Sequence, residues 1–137
     1  MTRIALCCCG SLRAEAVGEP VLVAACHCME CQRRTGSPFG VSTYFPKHQV
    51  RTAGTSKVYV RGSDSGRKIE LHFCPDCGST VFWYAEKFPD LIGIAFGAFA
   101  DQSMPSETAD FPHRASATLI ERCDILFPDL LKLFPPR

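Results

Sequence analysis

Phe73-Cys74-Pro75-Asp76-Cys77-Gly78-Ser79 is the stretch on which the reading turns, because Cys7-Cys8-Cys9-Gly10 answers it from far earlier in the chain. Each is a close pair of cysteines with a glycine directly after it. Packing has no need of thiols at such spacings. A metal does, because thiolates must converge on one ion with zinc–sulfur distances of about 2.3 Å. Glycine after each pair lets the backbone turn tightly and aim its amides at the sulfurs. Two such knuckles, Cys7 with Cys9 and Cys74 with Cys77, supply four thiolates, a tetrahedral set with no position left over. The expected role is structural, a zinc clamp from the N-terminal strand to the middle of the chain.

Between the knuckles lies Cys26-His27-Cys28-Met29-Glu30-Cys31. Three cysteines leave one position on a metal open, and open positions are where zinc does chemistry. A small exogenous thiol or water would fill it, and zinc would lower that thiol's pKa and hold it as a nucleophile near neutral pH. Two rival readings stand beside this one. The site is closed by His27, His72 or a spare cysteine, or the trio is a redox or metal-free group. His27 sits between two ligands, so its side chain is expected to point away from the metal.

Together the three clusters hold eight of the nine cysteines, seven of them as candidate ligands. A secreted disulfide scaffold is disfavoured by the odd number, by the knuckle spacings and by the lack of a visible signal. The apolar run from Ile4 to Cys9 is shorter than a signal core of roughly 7–15 residues. No stretch approaches the ~20 apolar residues of a membrane span. A reduced, cytoplasmic protein without a membrane partner is the expectation. Charge points the same way for nucleic acid: 15 basic residues against 14 acidic give +1. Binding two divalent ions through seven thiolates would carry that to about −2, leaving no basic excess for a nucleic-acid partner.

A chain of 137 residues with 46% apolar content reads as one domain, 1–137, with one core. The fold class expected is mainly β with little helix. Val21 to Ala25 is a short apolar strand leading into the middle cluster. Phe39 to Phe45 alternates, with Phe39, Val41, Thr43 and Phe45 on one face. Lys57 to Arg61 and Arg67 to Phe73 flank the turn signal Gly62-Ser63-Asp64-Ser65-Gly66 and read as a hairpin. In its second arm Ile69, Leu71 and Phe73 share a face, and Lys68, Glu70 and His72 share the other. Val81 to Tyr84 and Leu91 to Phe99 read as strands, Asp101 to His113 as a loop, and Pro128 to Phe134 as a turn or two of helix. Short strands joined by ten prolines and ten glycines make zinc a large part of the stability, at roughly 10–16 kcal/mol per structural ion in small domains.

Cys7 to Gly10, Cys26 to Gly36 (Cys-His-Cys-x-x-Cys-Arg-Arg-x-x-Gly) and Phe73 to Ser79, in this order, resemble the glutathione-dependent formaldehyde-activating enzyme family. That family also contains the vertebrate centromere protein V. The likeness spans roughly residues 5 to 100. It implies rolled antiparallel sheets carrying two zinc ions. It implies that Cys7, Cys9, Cys74 and Cys77 hold a structural zinc and that Cys26, Cys28 and Cys31 hold a second, open one. The implied activity is that of a carbon–sulfur lyase joining glutathione to formaldehyde as S-hydroxymethylglutathione. Beyond Phe99 the likeness thins: relatives carry a Pro-Trp pair near the C-terminus, and the only tryptophan here is Trp83. The alternative from another class is a non-catalytic two-zinc interaction module.

Of the remaining residues, Arg33 or Arg34 would offset the thiolate–zinc charge or hold a glutathione carboxylate, unless the pair is simply solvated. Ser37, in the turn Thr35 to Pro38, is a candidate hydrogen-bond donor to substrate. His72 reads as a strand residue or a partner of a ligand. His48 and His113 have no ligand spacing. Phe82, Trp83 and Tyr84 are expected in the core, with cleft lining the alternative for Trp83 or Tyr84. Cys8 should point away from its neighbours, and Cys123 reads as a small buried hydrophobe.

Overall fold

Residues 1–63 and 66–104, and the backbone of 109–111, are described by the computed structural model. They form ten strands and one short α-helix. The first strands are β1 (Thr2–Leu6), β2 (Arg13–Val17) and β3 (Leu22–Cys26), followed by α1 (Met29–Thr35) and β4 (Gly40–Pro46). Then come β5 (Val50–Ala53), β6 (Lys57–Gly62), β7 (Lys68–Phe73), β8 (Thr80–Ala85), β9 (Leu91–Ala95) and β10 (Ala109–Phe111). One sheet has the order β1-β2-β5 and the other β10-β3-β4-β9-β8-β7-β6. Every pairing is antiparallel except that of β10 with β3. The mainly-β expectation is met.

Alternation along the strands gives the larger sheet two different faces. On β4, Thr43 and Phe45 turn to a core that also takes Ile92 and Ile94 from β9 and Ala5, Ala14 and Ala16 from the small sheet. Their neighbours Ser42 and Tyr44 turn the other way, toward an open cleft. The hairpin β6–β7 forms as its turn signal predicts, with Lys57 opposite Phe73 and Arg61 opposite Ile69. Ile69 and Leu71 share the cleft face, while His72 on the opposite face stacks on Phe82 with ring centroids 4.6 Å apart.

Three expectations need correction. The strand expected over Leu91 to Phe99 stops at Ala95. Phe96–Phe99 is a 3-10 turn closed by Ala100 at φ 48°, which buries Phe99 against Phe45 at 6.1 Å between rings. Gly97 breaks the alternation there, so burial of the phenylalanine is better served by a turn than by another strand residue. The loop expected over Asp101 to His113 contains β10, which borrows the free edge of β3. The short helix α1 was not anticipated at all, because seven residues carry no apolar period to read. Pro128 to Phe134, Cys123 and His113 lie outside the described residues.

Trp83 and Gly93 are directly paired across β8 and β9. The buried indole lies across the glycine backbone, and a Cβ at Gly93 would collide with Nε1 of Trp83. Gly93→Ala should therefore destabilise the protein by at least the ~1–3 kcal/mol typical of an overpacked core. A urea unfolding midpoint equal to the wild type would contradict this packing.

Candidate metal centres

The first centre is built by two turns. Gly10 and Gly78 both adopt left-handed backbone, at φ 81° and 77°, which a side chain would strain. In the first turn Gly10 N–H donates to Cys7 O at 3.0 Å, and Leu12 N–H donates to the Cys7 sulfur at 3.2 Å. In the second, Gly78 N–H donates to Cys74 O and Cys74 N–H donates to Ser79 O, both at 2.9 Å. Cys8 N–H donates to Ser79 Oγ at 3.1 Å and joins the turns. The sulfurs of Cys7, Cys9, Cys74 and Cys77 all lie within 4.8 Å of one another. Cys7–Cys9 and Cys9–Cys74 are 3.5 and 3.6 Å apart. Sulfurs placed tetrahedrally ~2.3 Å from one ion are about 3.8 Å apart, close to these two spacings. Cys7 and Cys74 are buried, Cys9 and Cys77 exposed.

Hydroxyl groups lie against these sulfurs. Ser11 Oγ is 3.0 Å from the Cys9 sulfur and 3.2 Å from that of Cys74, and Ser79 Oγ is 3.2 Å from that of Cys77. The Ser79 hydroxyl, then its backbone and that of Cys9, lower the Cys77 thiol to about 5. A thiolate there is a ready ligand at neutral pH.

The second centre sits where β3 runs into α1. Cys26 ends the strand, Cys28 caps the helix, and Cys31 lies in its first turn. Cys31 N–H donates to the Cys28 sulfur at 3.4 Å, and Gln32 Nε2 donates to His27 O at 2.8 Å. Gly36, left-handed at φ 69°, ends the helix by donating to Gln32 O. These caps compensate for the helix's length: they satisfy the end groups that so short a segment cannot pair within itself. The sulfurs of Cys26, Cys28 and Cys31 also fall within 4.8 Å of one another, and among the described residues no other Cys, His, Asp or Glu completes the group. The Cys26 thiol at hydrogen-bonding distance, burial, and the charges of Cys26 and Cys28 push the Cys31 thiol far up. Three thiolates held together this way call for a cation, which is the behaviour expected of a ligand set.

The trio opens on a cleft of about 450 Å³ on the sheet face opposite the core. Trp83, Leu71 and Ile69 form its apolar wall, and Ser42 and Tyr44 its polar side. Burial holds the Tyr44 phenol above the usual range, against the lowering effect of Trp83 and Ser42 beside it. Arg34 lies over the Trp83 ring at 5.0 Å.

The other residues singled out by sequence fall as follows. Arg33 is exposed and pairs with Glu30 at 3.0 Å, outside the cleft, whereas its neighbour Arg34 lines it. Ser37 Oγ accepts from Phe39 N–H at 3.4 Å and does not line the cleft. The His27 ring packs on Phe39 at 5.3 Å. His72 Nδ1 is 2.9 Å from Ser56 Oγ, and burial lowers its pKa. Cys8 is exposed. Tyr44, Trp83 as a cleft residue, and the basic residues on the cleft rim carry no spacing signal. Only the side-to-side order of the strands brings them together.

A sequence model of the family described as glutathione-dependent formaldehyde-activating enzyme matches residues 2–114. No curated protein matches the chain. A Rhodobacter sphaeroides protein, solved as a structural-genomics target, is similar in structure, with a TM-score of 0.58 and 17% identity. The likeness covers 79% of this chain and 99% of that one. At that identity it speaks for the fold alone.

Protons compete with a metal for thiolate, so the two centres should differ in acid. With Cys77 depressed and Cys31 raised, the trio should release a divalent ion at higher pH than the four-sulfur set. Titration of the metal-loaded protein with a chromogenic chelator should show two steps, the first missing in Cys28→Ser. A single step, or loss from the four-sulfur set first, would count against this assignment.

Proposed function

The chain belongs to the glutathione-dependent formaldehyde-activating enzyme family, and on that premise we propose that it is a zinc-dependent carbon–sulfur lyase. It makes and breaks the bond between the sulfur of a small thiol such as glutathione and an aldehyde carbon. The observation that most supports this reading is the trio Cys26, Cys28 and Cys31 opening on a cleft, with no further protein ligand among the described residues. A zinc ion held by the trio would lower the pKa of a substrate thiol and keep it as a nucleophile. Cys7, Cys9, Cys74 and Cys77 would hold a second zinc with a structural role, since a four-thiolate set leaves no position for substrate.

The chain's own groups then bind and orient. The wall of Trp83, Leu71 and Ile69 keeps water from one side of the reacting pair. Sulfur bonds to the aldehyde carbon, the carbonyl π pair moves to oxygen, and that oxygen takes up the proton the thiol has released. Tyr44 keeps its phenolic proton, mainly through burial, and is placed in the cleft to hydrogen-bond that oxygen. The reverse sequence returns thiol and aldehyde.

Exchange NMR on glutathione and formaldehyde reads the interconversion directly. Protein with two zinc ions per chain should speed it above the spontaneous rate, and Cys28→Ser should return it to that rate with little change in thermal midpoint. Cys77→Ser should instead lose an ion and lower the midpoint by several degrees. If the two-zinc protein leaves the spontaneous rate of this and other aldehydes unchanged, the enzyme reading fails and the interaction-module alternative takes its place.

A further inference from the structure

Five basic residues, Arg34, Arg61, Arg67, Lys68 and Lys87, line the cleft that holds the trio, and no aspartate or glutamate lines it among the described residues. The segregation is informative, since Glu70 and Glu86 stand next to cleft-lining residues in the chain and neither lines the cleft. Among the described residues no ion pair engages Arg34, Arg61, Arg67 or Lys68. Arg34 is the best placed of them. Its guanidinium lies over the Trp83 ring at 5.0 Å. A Cβ built on Gly40 would be 2.8 Å from Arg34 Nη2 and 3.4 Å from Cys31 Cβ. The guanidinium therefore sits beside the trio, over the indole and admitted by a glycine.

Charge balance decides what such a cleft takes. Three thiolates on a divalent ion carry one net negative charge, and glutathione bound as thiolate brings two more. Arg34, Arg61, Arg67 and Lys68, the four without an ion pair among the described residues, exceed that total by one, and the glutathione ammonium would find no carboxylate partner on the cleft wall among the described residues. Formaldehyde adds nothing to correct the excess. An aldehyde bearing its own carboxylate does, and a carboxylate on the carbon next to the reacting one falls within reach of a guanidinium beside the trio. Arginine suits this role because its planar fork binds a carboxylate through two parallel hydrogen bonds.

We propose that the carbonyl substrate is an anionic one, a small oxo acid of the glyoxylate type, whose carboxylate is bound by Arg34 with support from the basic rim. The inference rests on the thiol-adduct reading above and names the substrate class of that same site. The reaction balances as before: sulfur bonds to the aldehyde carbon, the π pair moves to oxygen, and the thiol's proton ends on that oxygen. No oxidant or reductant is needed.

Two thioethers test it without turnover. S-(Carboxymethyl)glutathione carries the extra carboxylate of the adduct, and S-methylglutathione lacks it. Calorimetry on the two-zinc protein should find the first bound about 10–100-fold more tightly, the range for a charged bidentate contact. Arg34→Met should bring the two close to parity, and Arg34→Lys should restore part of the difference. Arg61→Met, on the rim, should reduce the preference less and serves if Arg34→Met does not fold. In exchange NMR, glyoxylate should outpace neutral methylglyoxal in kcat/KM by a similar factor. Equal binding of the two thioethers, with formaldehyde and glyoxylate exchanged equally well, would overturn this inference and leave the thiol-adduct reading standing. Failure to bind either thioether or to accelerate any exchange would overturn both.

Discussion

Four sulfur atoms from two turns, gathered within 4.8 Å of one another, are the constraint on which the rest depends. Cys9 and Cys74 stand 65 residues apart, and their turns belong to different sheets. One turn joins β1 to β2 and the other joins β7 to β8. Bringing them together fixes the small sheet against the large one, so that Ala5, Ala14 and Ala16 meet Phe45, Ile92 and Ile94. The small side chains of the N-terminal strands contribute modest burial by themselves. A metal held there would tie the two sheets at the end where Cys7, Leu12, Cys74 and Val81 enter the core.

Because the small sheet covers one face of the large sheet, the opposite face is left for the cleft. Each strand serves both faces through its two-residue period. Thr43 and Phe45 hold the core while Ser42 and Tyr44 line the site. His72 stacks on Phe82 on one side while Leu71 and Ile69 line the cleft on the other. Gly93 and Gly40 are the two places where this face must give up a side chain, one to admit the indole of Trp83 and the other the guanidinium of Arg34. The functional surface is thus a property of strand neighbours.

Much of this was legible in the residues. The three cysteine groups, the glycines after each knuckle and the β6–β7 hairpin are local patterns, and each appears where the spacing places it. What was not legible has physical causes. The helix α1 is too short to show a period and exists through its caps, with Cys28 serving both as cap and as member of the trio. Phe96–Phe99 reads as strand by composition, yet the burial of Phe99 on Phe45 favours a turn. Arg33 and Arg34 look alike in sequence. Helical geometry sends one to Glu30 in solvent and the other across Trp83.

By itself the sequence determined the chemistry that seven cysteines can perform, because ligand spacing within a knuckle is a local matter of a few bonds. It determined which residues alternate and where the chain must turn, for the same reason. Only the tertiary structure decided which cysteines remain one ligand short in space, which cations gather around them, and that no carboxylate lines the cleft among the described residues. Those depend on β3, β4, β9, β8, β7 and β6 lying side by side in an order the chain does not follow. Side chains far apart along the backbone become neighbours through that order alone.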